Sequence, residues 1–163
     1  MAAPTLGLAD LGRGWKQRWE DAQRELSELL VPSRESLSAD NIQTARNRLA
    51  SFYVQTYHLK DALKAEAGSI RVPESEIERA INREPDLALL ADLGNLDKHG
   101  KLSHPPRSGD VPRYTALRGR GLFSGGWVLE VEIAHAGRQK DGLRVAQAAV
   151  DAWRRVLLGW GLI

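Results

Sequence analysis

The chain predicts a mainly α protein: a helical bundle of about five helices with a small β-hairpin inserted before the last one. Three observations carry this. Over most of the first hundred positions, apolar residues recur at alternating steps of three and four, the spacing of one buried stripe on a helix. One late segment, Trp127-Val128-Leu129-Glu130-Val131-Glu132-Ile133, largely alternates apolar and charged residues, the period of a half-exposed strand. The chain has 163 residues, 42% of them hydrophobic and 27% charged. That length buries roughly 70% of the unfolded surface with no staple or metal. Residues 1–163 are therefore expected to form one helical domain, with 101–141 as loop and hairpin.

The first helix is expected from about Leu11 to Leu30, with Trp15, Trp19, Ala22, Leu26 and Leu29 on one face. Pro32 ends it, because the residue before a proline is pushed out of the helical region. A second helix starts after Ser38 or Asp40, either of which can cap it, and runs to about Ala67, with Gly68 as the stop. Its apolar face reads Ile42, Ala45, Leu49, Phe52, Thr56, Leu59, Leu63. At roughly 40 Å it is the expected spine. Pro73 opens a short third helix that ends near Arg83, and acids in its first turn suit the helix dipole. Pro85 opens a fourth, from Asp86 to about Lys98, stopped by Gly100. Positions 101–126 then hold three of the seven prolines and five of the fifteen glycines, and read as an irregular loop with a short strand at Tyr114–Leu117. Lys140-Asp141-Gly142 reads as a turn. The last helix, Leu143 to about Leu158, buries Ala146, Ala149, Val150, Trp153, Val156 and Leu157.

Composition narrows the function. There is no cysteine, which excludes disulfide scaffolds, thiol nucleophiles and cysteine-ligated metals. The net charge of +2 excludes a polyanionic tail, so a basic binding surface has to be local. No apolar run is long enough to cross a bilayer, and the N-terminus lacks the pattern of a secretion signal. A cytoplasmic protein with no cofactor is expected. Glycine-rich phosphate loops, nucleophile elbows and zinc-protease helices are all missing, and no metal-ligand spacing is found.

Three groups remain as candidates. On the fourth helix Asp92, Asn95 and His99 fall within about 60° of one another, opposite the leucines, with Lys98 beside them. An acid, an amide and an imidazole so aligned can share a ligand or a proton; a solvated polar face is the plain alternative. The second helix carries Tyr57, His58, Lys60 and Asp61. Asp61 is one turn from both Tyr57 and His58, while Lys60 falls at the edge of the apolar face, where it must snorkel or find an acid. Interhelical salt bridging is the plain alternative there. Between positions 101 and 120, Lys101, Arg107, Arg113, Arg118 and Arg120 face only Asp110, with Tyr114 and Phe123 close in sequence. Such a group can hold phosphates and stack bases, or be a solvated loop.

Phe52-Tyr53-Val54-Gln55-Thr56-Tyr57-His58-Leu59-Lys60-Asp61 and Asp92-Leu93-Gly94-Asn95-Leu96-Asp97-Lys98-His99 resemble the HEPN-like helical domains of small bacterial and phage proteins. Those carry a Tyr-His-Leu-Lys/Arg-Asp helix, then an Asp-x-x-Asn-x-x-Lys-His helix, a strand and a tryptophan-bearing helix. The resemblance runs from Leu49 onward, about two thirds of the chain. It implies a helical bundle, a homodimer, and an RNA-directed role that in active relatives is metal-independent cleavage. Under that reading His99 is the acid or base, Asp61 or Asp92 orients it and Lys98 binds phosphate. Tyr57, His58 and Asn95 complete one polar cluster between two helices, with Lys60, Arg107, Arg113, Arg118 and Arg120 holding substrate. The arginine that such relatives carry a few residues ahead of the histidine is absent here. The other reading is a non-catalytic interaction protein whose polar cluster is a structural hydrogen-bond network.

Overall fold

The computed structural model describes residues 14–163. The N-terminal sequence read for a signal, and the start of the first predicted helix at Leu11, lie outside them. Helices α1 (Trp15–Leu29), α2 (Ala39–Tyr57), α3 (Leu59–Ala65), α4 (Ala67–Ile70), α5 (Glu74–Arg83) and α6 (Pro85–His99) come first. Strands β1 (Arg113–Gly121), β2 (Trp127–His135) and β3 (Arg138–Asp141) follow, and α7 (Gly142–Gly159) closes the chain. The protein is mainly α with a small antiparallel sheet, ordered β1-β2-β3.

The stripes read from sequence are the ones buried. Trp15, Trp19, Ala22 and Leu26 face inward from α1, and Ala146, Ala149, Val150, Trp153 and Leu157 from α7. Helix α6 lies deepest, buried continuously from Leu87 to Gly94. It packs on α2 at Gly94, where a Cβ would meet the Tyr53 carbonyl oxygen and the Tyr57 Cβ at 3.4 Å. Gly100, at φ 71°, stops it as expected.

Three expectations are corrected. The long second helix is broken at His58: His58 N–H still reaches the Val54 carbonyl, but Asp61 N–H takes the His58 carbonyl three residues back, a tightened turn. Its stop is not Gly68, which lies inside α4, but Arg71 at φ 57°. The sheet has three strands instead of a single hairpin, and β1, nine residues long, extends the short strand read at Tyr114–Leu117 to Arg113 and Gly121. Glycines 119 and 121 do not break β1. A Cβ at Gly119 would lie 2.3 Å from Leu37 Cδ1, so the missing side chain makes room for the segment before α2. The turn joining β2 to β3 is Ala136-Gly137, both at positive φ, between the paired residues His135 and Arg138. Asp141 ends β3 and caps α7, its carboxylate accepting from Arg144 N–H at 3.0 Å.

Candidate functional site

On α6 the four motif residues part company. Asp92 is 2% exposed. Its Oδ1 accepts from Arg107 N–H at 2.9 Å, and its Oδ2 from Ser108 N–H at 2.9 Å and the Ser108 hydroxyl at 2.5 Å. The hydroxyl proton goes to this carboxylate, so the imidazole of buried His135 donates its Nε2 proton to Ser108 Oγ at 2.9 Å. The acid read as a candidate site residue opposite the leucines thus anchors the 101–112 segment. Asn95 is half-buried, while Lys98 and His99 are exposed. None of these three side chains makes a hydrogen bond or ion pair among the described residues, so neither Asp61 nor Asp92 orients His99.

Asp97, one residue before Lys98, is tied down instead. With 4% of its side chain exposed, it pairs with Arg46 at 3.0 Å and accepts from the Tyr114 hydroxyl at 2.7 Å. The Arg46 guanidinium lies 5.0 Å from the centre of the Tyr114 ring. Burial and the Asp97 charge push the Tyr114 phenol upward, so it stays a protonated donor. The spacing carries one signal for Asp97, which lies four residues after buried Leu93 and so turns inward, but it does not name the partners.

The α2–α3 group does converge. His58 Nδ1 donates to Asp61 Oδ2 at 2.5 Å, the pair read from their spacing. Tyr57 does not bond Asp61; it is buried, and Lys60 Nζ sits 4.7 Å from its ring centre. Lys60 finds acids as its position required, Asp61 at 3.7 Å and Glu78 of α5 at 3.6 Å. Glu78 also binds Lys64, and its Oε2 accepts from Arg107 Nη1 at 2.7 Å. Burial opposes ionisation of Glu78, but the hydrogen bonds from Lys64 and Arg107 and the charges of Arg107 and Lys60 outweigh it and bring its pKa to about 2. Burial likewise pulls the Lys60 ammonium down, yet the Tyr57 phenol, Asp61 and Glu78 leave it raised. Through Glu78 and Arg107 this group joins the Asp92 anchor. Of the expected cluster, Tyr57, His58, Asp61 and Asp92 belong to one network, and Asn95, Lys98 and His99 do not.

The expected basic loop is also corrected. Arg118 and Arg120 stand on β1, whose register sets them beside β2's glutamates. Arg118 binds Glu130 at 2.6 Å and Glu132 at 2.9 Å, and Arg120 binds Glu130 at 2.6 Å. Counting acids only within 101–120 missed these partners. Arg107 is taken by Glu78. Lys98, Lys101, Arg113 and Arg138 keep no ion pair among the described residues. The Tyr114–Asp97 bond brings the α6 terminus to the start of β1, and pairing of Arg113 with Ala134 and of His135 with Arg138 adds the end of the sheet. These four cations therefore share one end of the fold.

Compared with protein-family models, curated proteins and solved structures, the chain matches none. Among the described residues, no group of three or more His, Asp or Glu is placed to hold a metal ion, and no helix is long and apolar enough to cross a membrane. A groove of about 370 Å³ between the 31–35 segment, α2 and β2 is lined by Pro32, Trp127, Leu129 and Leu143 and contains none of the candidate residues. The residues that sequence reading missed, Glu78, Asp97, Ser108 and His135, are those whose partners come from distant segments.

Proposed function

We propose that this protein is a HEPN-like, RNA-directed module that acts by binding, the Asp92 anchor of its polar network serving as structure. One observation favours binding over cleavage: both oxygens of Asp92 are consumed by the Arg107–Ser108 backbone and hydroxyl, so the helix bearing His99 has no acid left to orient it. The exposed cations Lys98, Lys101, Arg113 and Arg138 then supply the RNA contact, a sequence-independent grip on phosphates. The test is binding of a labelled single-stranded RNA to the full chain. Binding that weakens with salt, and weakens further in Lys98→Ala and Arg113→Ala, is expected; affinity indifferent to both substitutions sinks the reading.

A second reading, metal-independent RNA cleavage, is favoured by the His58–Asp61 pair: 2.5 Å apart, partly open to solvent and beside Lys60. Incubation of RNA in EDTA separates the two. Cleavage by the wild type that disappears in His58→Ala or His99→Ala supports catalysis, and intact RNA in every sample supports binding alone. The resemblance also carries a homodimer into this proposal; sedimentation equilibrium at twice 18.0 kDa supports it, and a mass of 18.0 kDa refutes it.

A further inference from the structure

Three cations from two parts of the chain converge on a single carboxylate. Lys60 and Lys64, one turn apart on α3, both meet Glu78 Oε1, and Arg107 meets Oε2. The three basic side chains are 13%, 23% and 29% exposed, and the Glu78 carboxylate, at 31%, is the most open of the four. An ordinary surface pair satisfies a carboxylate with one partner; gathering three long side chains costs rotamer freedom and hydration.

The places of two of these cations do not depend on Glu78. Arg107 is held through its backbone by Asp92 at 2.9 Å, and its Nη1 also reaches Asn82 Oδ1 at 3.1 Å. Lys60 rests on the Tyr57 ring and lies within 3.7 Å of Asp61. Two ammonium groups and a guanidinium around one small oxyanion make a donor set that a phosphate fills better than a carboxylate. Phosphate offers more acceptor oxygens and more charge to the same donors. We infer that Lys60, Lys64 and Arg107 form a phosphate-binding site in which Glu78 is the resident counter-ion, displaced when the ligand enters.

This site is separate from the Lys98–Arg113 end to which RNA binding was assigned. Either inorganic phosphate or a terminal nucleotide phosphate would fit it. The experiment compares thermal midpoints of wild type, Glu78→Gln and Glu78→Gln/Arg107→Gln in sodium phosphate and in sodium chloride of equal ionic strength. Saturable stabilisation of Glu78→Gln by phosphate is expected, with an apparent Kd roughly tenfold below that of the wild type, and its loss in the double variant. A phosphate effect equal in wild type and Glu78→Gln, or one that persists in the double variant, overturns the inference. Should Glu78→Gln fail to fold in chloride, cooperative refolding on adding phosphate supports the site, and failure to refold refutes it. A 5′-phosphorylated oligoribonucleotide that binds Glu78→Gln more tightly than its 5′-hydroxyl form assigns the ligand to nucleotide ends. Equal binding of the two assigns it to free phosphate. Neither variant touches Lys98 or Arg113, so failure here leaves the RNA reading standing, and the converse holds.

Discussion

Asp92 decides more about this molecule than its neighbours on the same helix face. Its carboxylate accepts two backbone N–H groups and a hydroxyl, all in a half-buried setting where water is a poor substitute. Asp92→Ala strands these donors and is expected to cost about 3 kcal/mol, read as a lower urea midpoint at unchanged slope. His99→Ala, exposed and without a partner, should change stability by less than about 0.5 kcal/mol. Equal losses would put the two residues back in one cluster. Glu78 sets a pH dependence. Its folded pKa of about 2 lies below the usual value of 4.5, so its contribution is complete above about pH 4.5 and is lost as pH falls toward 2. Over that window the urea midpoint of the wild type should drop more steeply than that of Glu78→Gln.

Among the elements, the sheet departs furthest from what its residues announce. Glycines and prolines between 101 and 126 read as loop because punctuation of that kind normally interrupts a strand. In β1 it does not, since Gly119 is the contact point for Leu37 and the cations on its outer face are matched by β2's glutamates. The β2–β3 turn holds a local strain: Ala136 sits at φ 50°, a region costly for a residue with a Cβ. Asparagine tolerates that region and suits the first position of such a turn. Ala136→Asn is therefore expected to stabilise by about 0.5–1 kcal/mol, raising the thermal midpoint by a few degrees. An unchanged or lowered midpoint would mean the turn is not under this strain.

For the whole molecule, charge placement matters more than net charge. A balance of +2 says little about partners, yet pairing inside the fold leaves Lys98, Lys101, Arg113 and Arg138 without an ion pair among the described residues, with the Asp110 carboxylate, bonded to Ala136 N–H and near Arg113, as the acid at that end. Salt titration of the proposed RNA binding measures that directly. Removing Lys98 or Arg113 should each lower the slope of log K against log salt by roughly 0.7, the value for one phosphate contact on a single strand. Arg118→Ala, whose charge is already matched by Glu130 and Glu132, should leave the slope unchanged. A slope that falls equally for all three would place the contact on the sheet face instead.

The positions of α1, α5, α6 and α7, the inward stripes of α1 and α7, the stops at Pro32 and Gly100, and the His58–Asp61 pair were legible in the sequence. Each depends on spacing within a turn or two, and short-range geometry is written along the chain. The fates of Asp92, Asp97, Glu78 and the strand arginines were not. Whether a polar side chain faces water, a backbone N–H or an opposite charge depends on which remote segment lies over it, and no local period encodes that. Residues 107–108 folding back onto α6, and β2 lying beside β1, turned expected site residues into structure and left a different set of cations free to act.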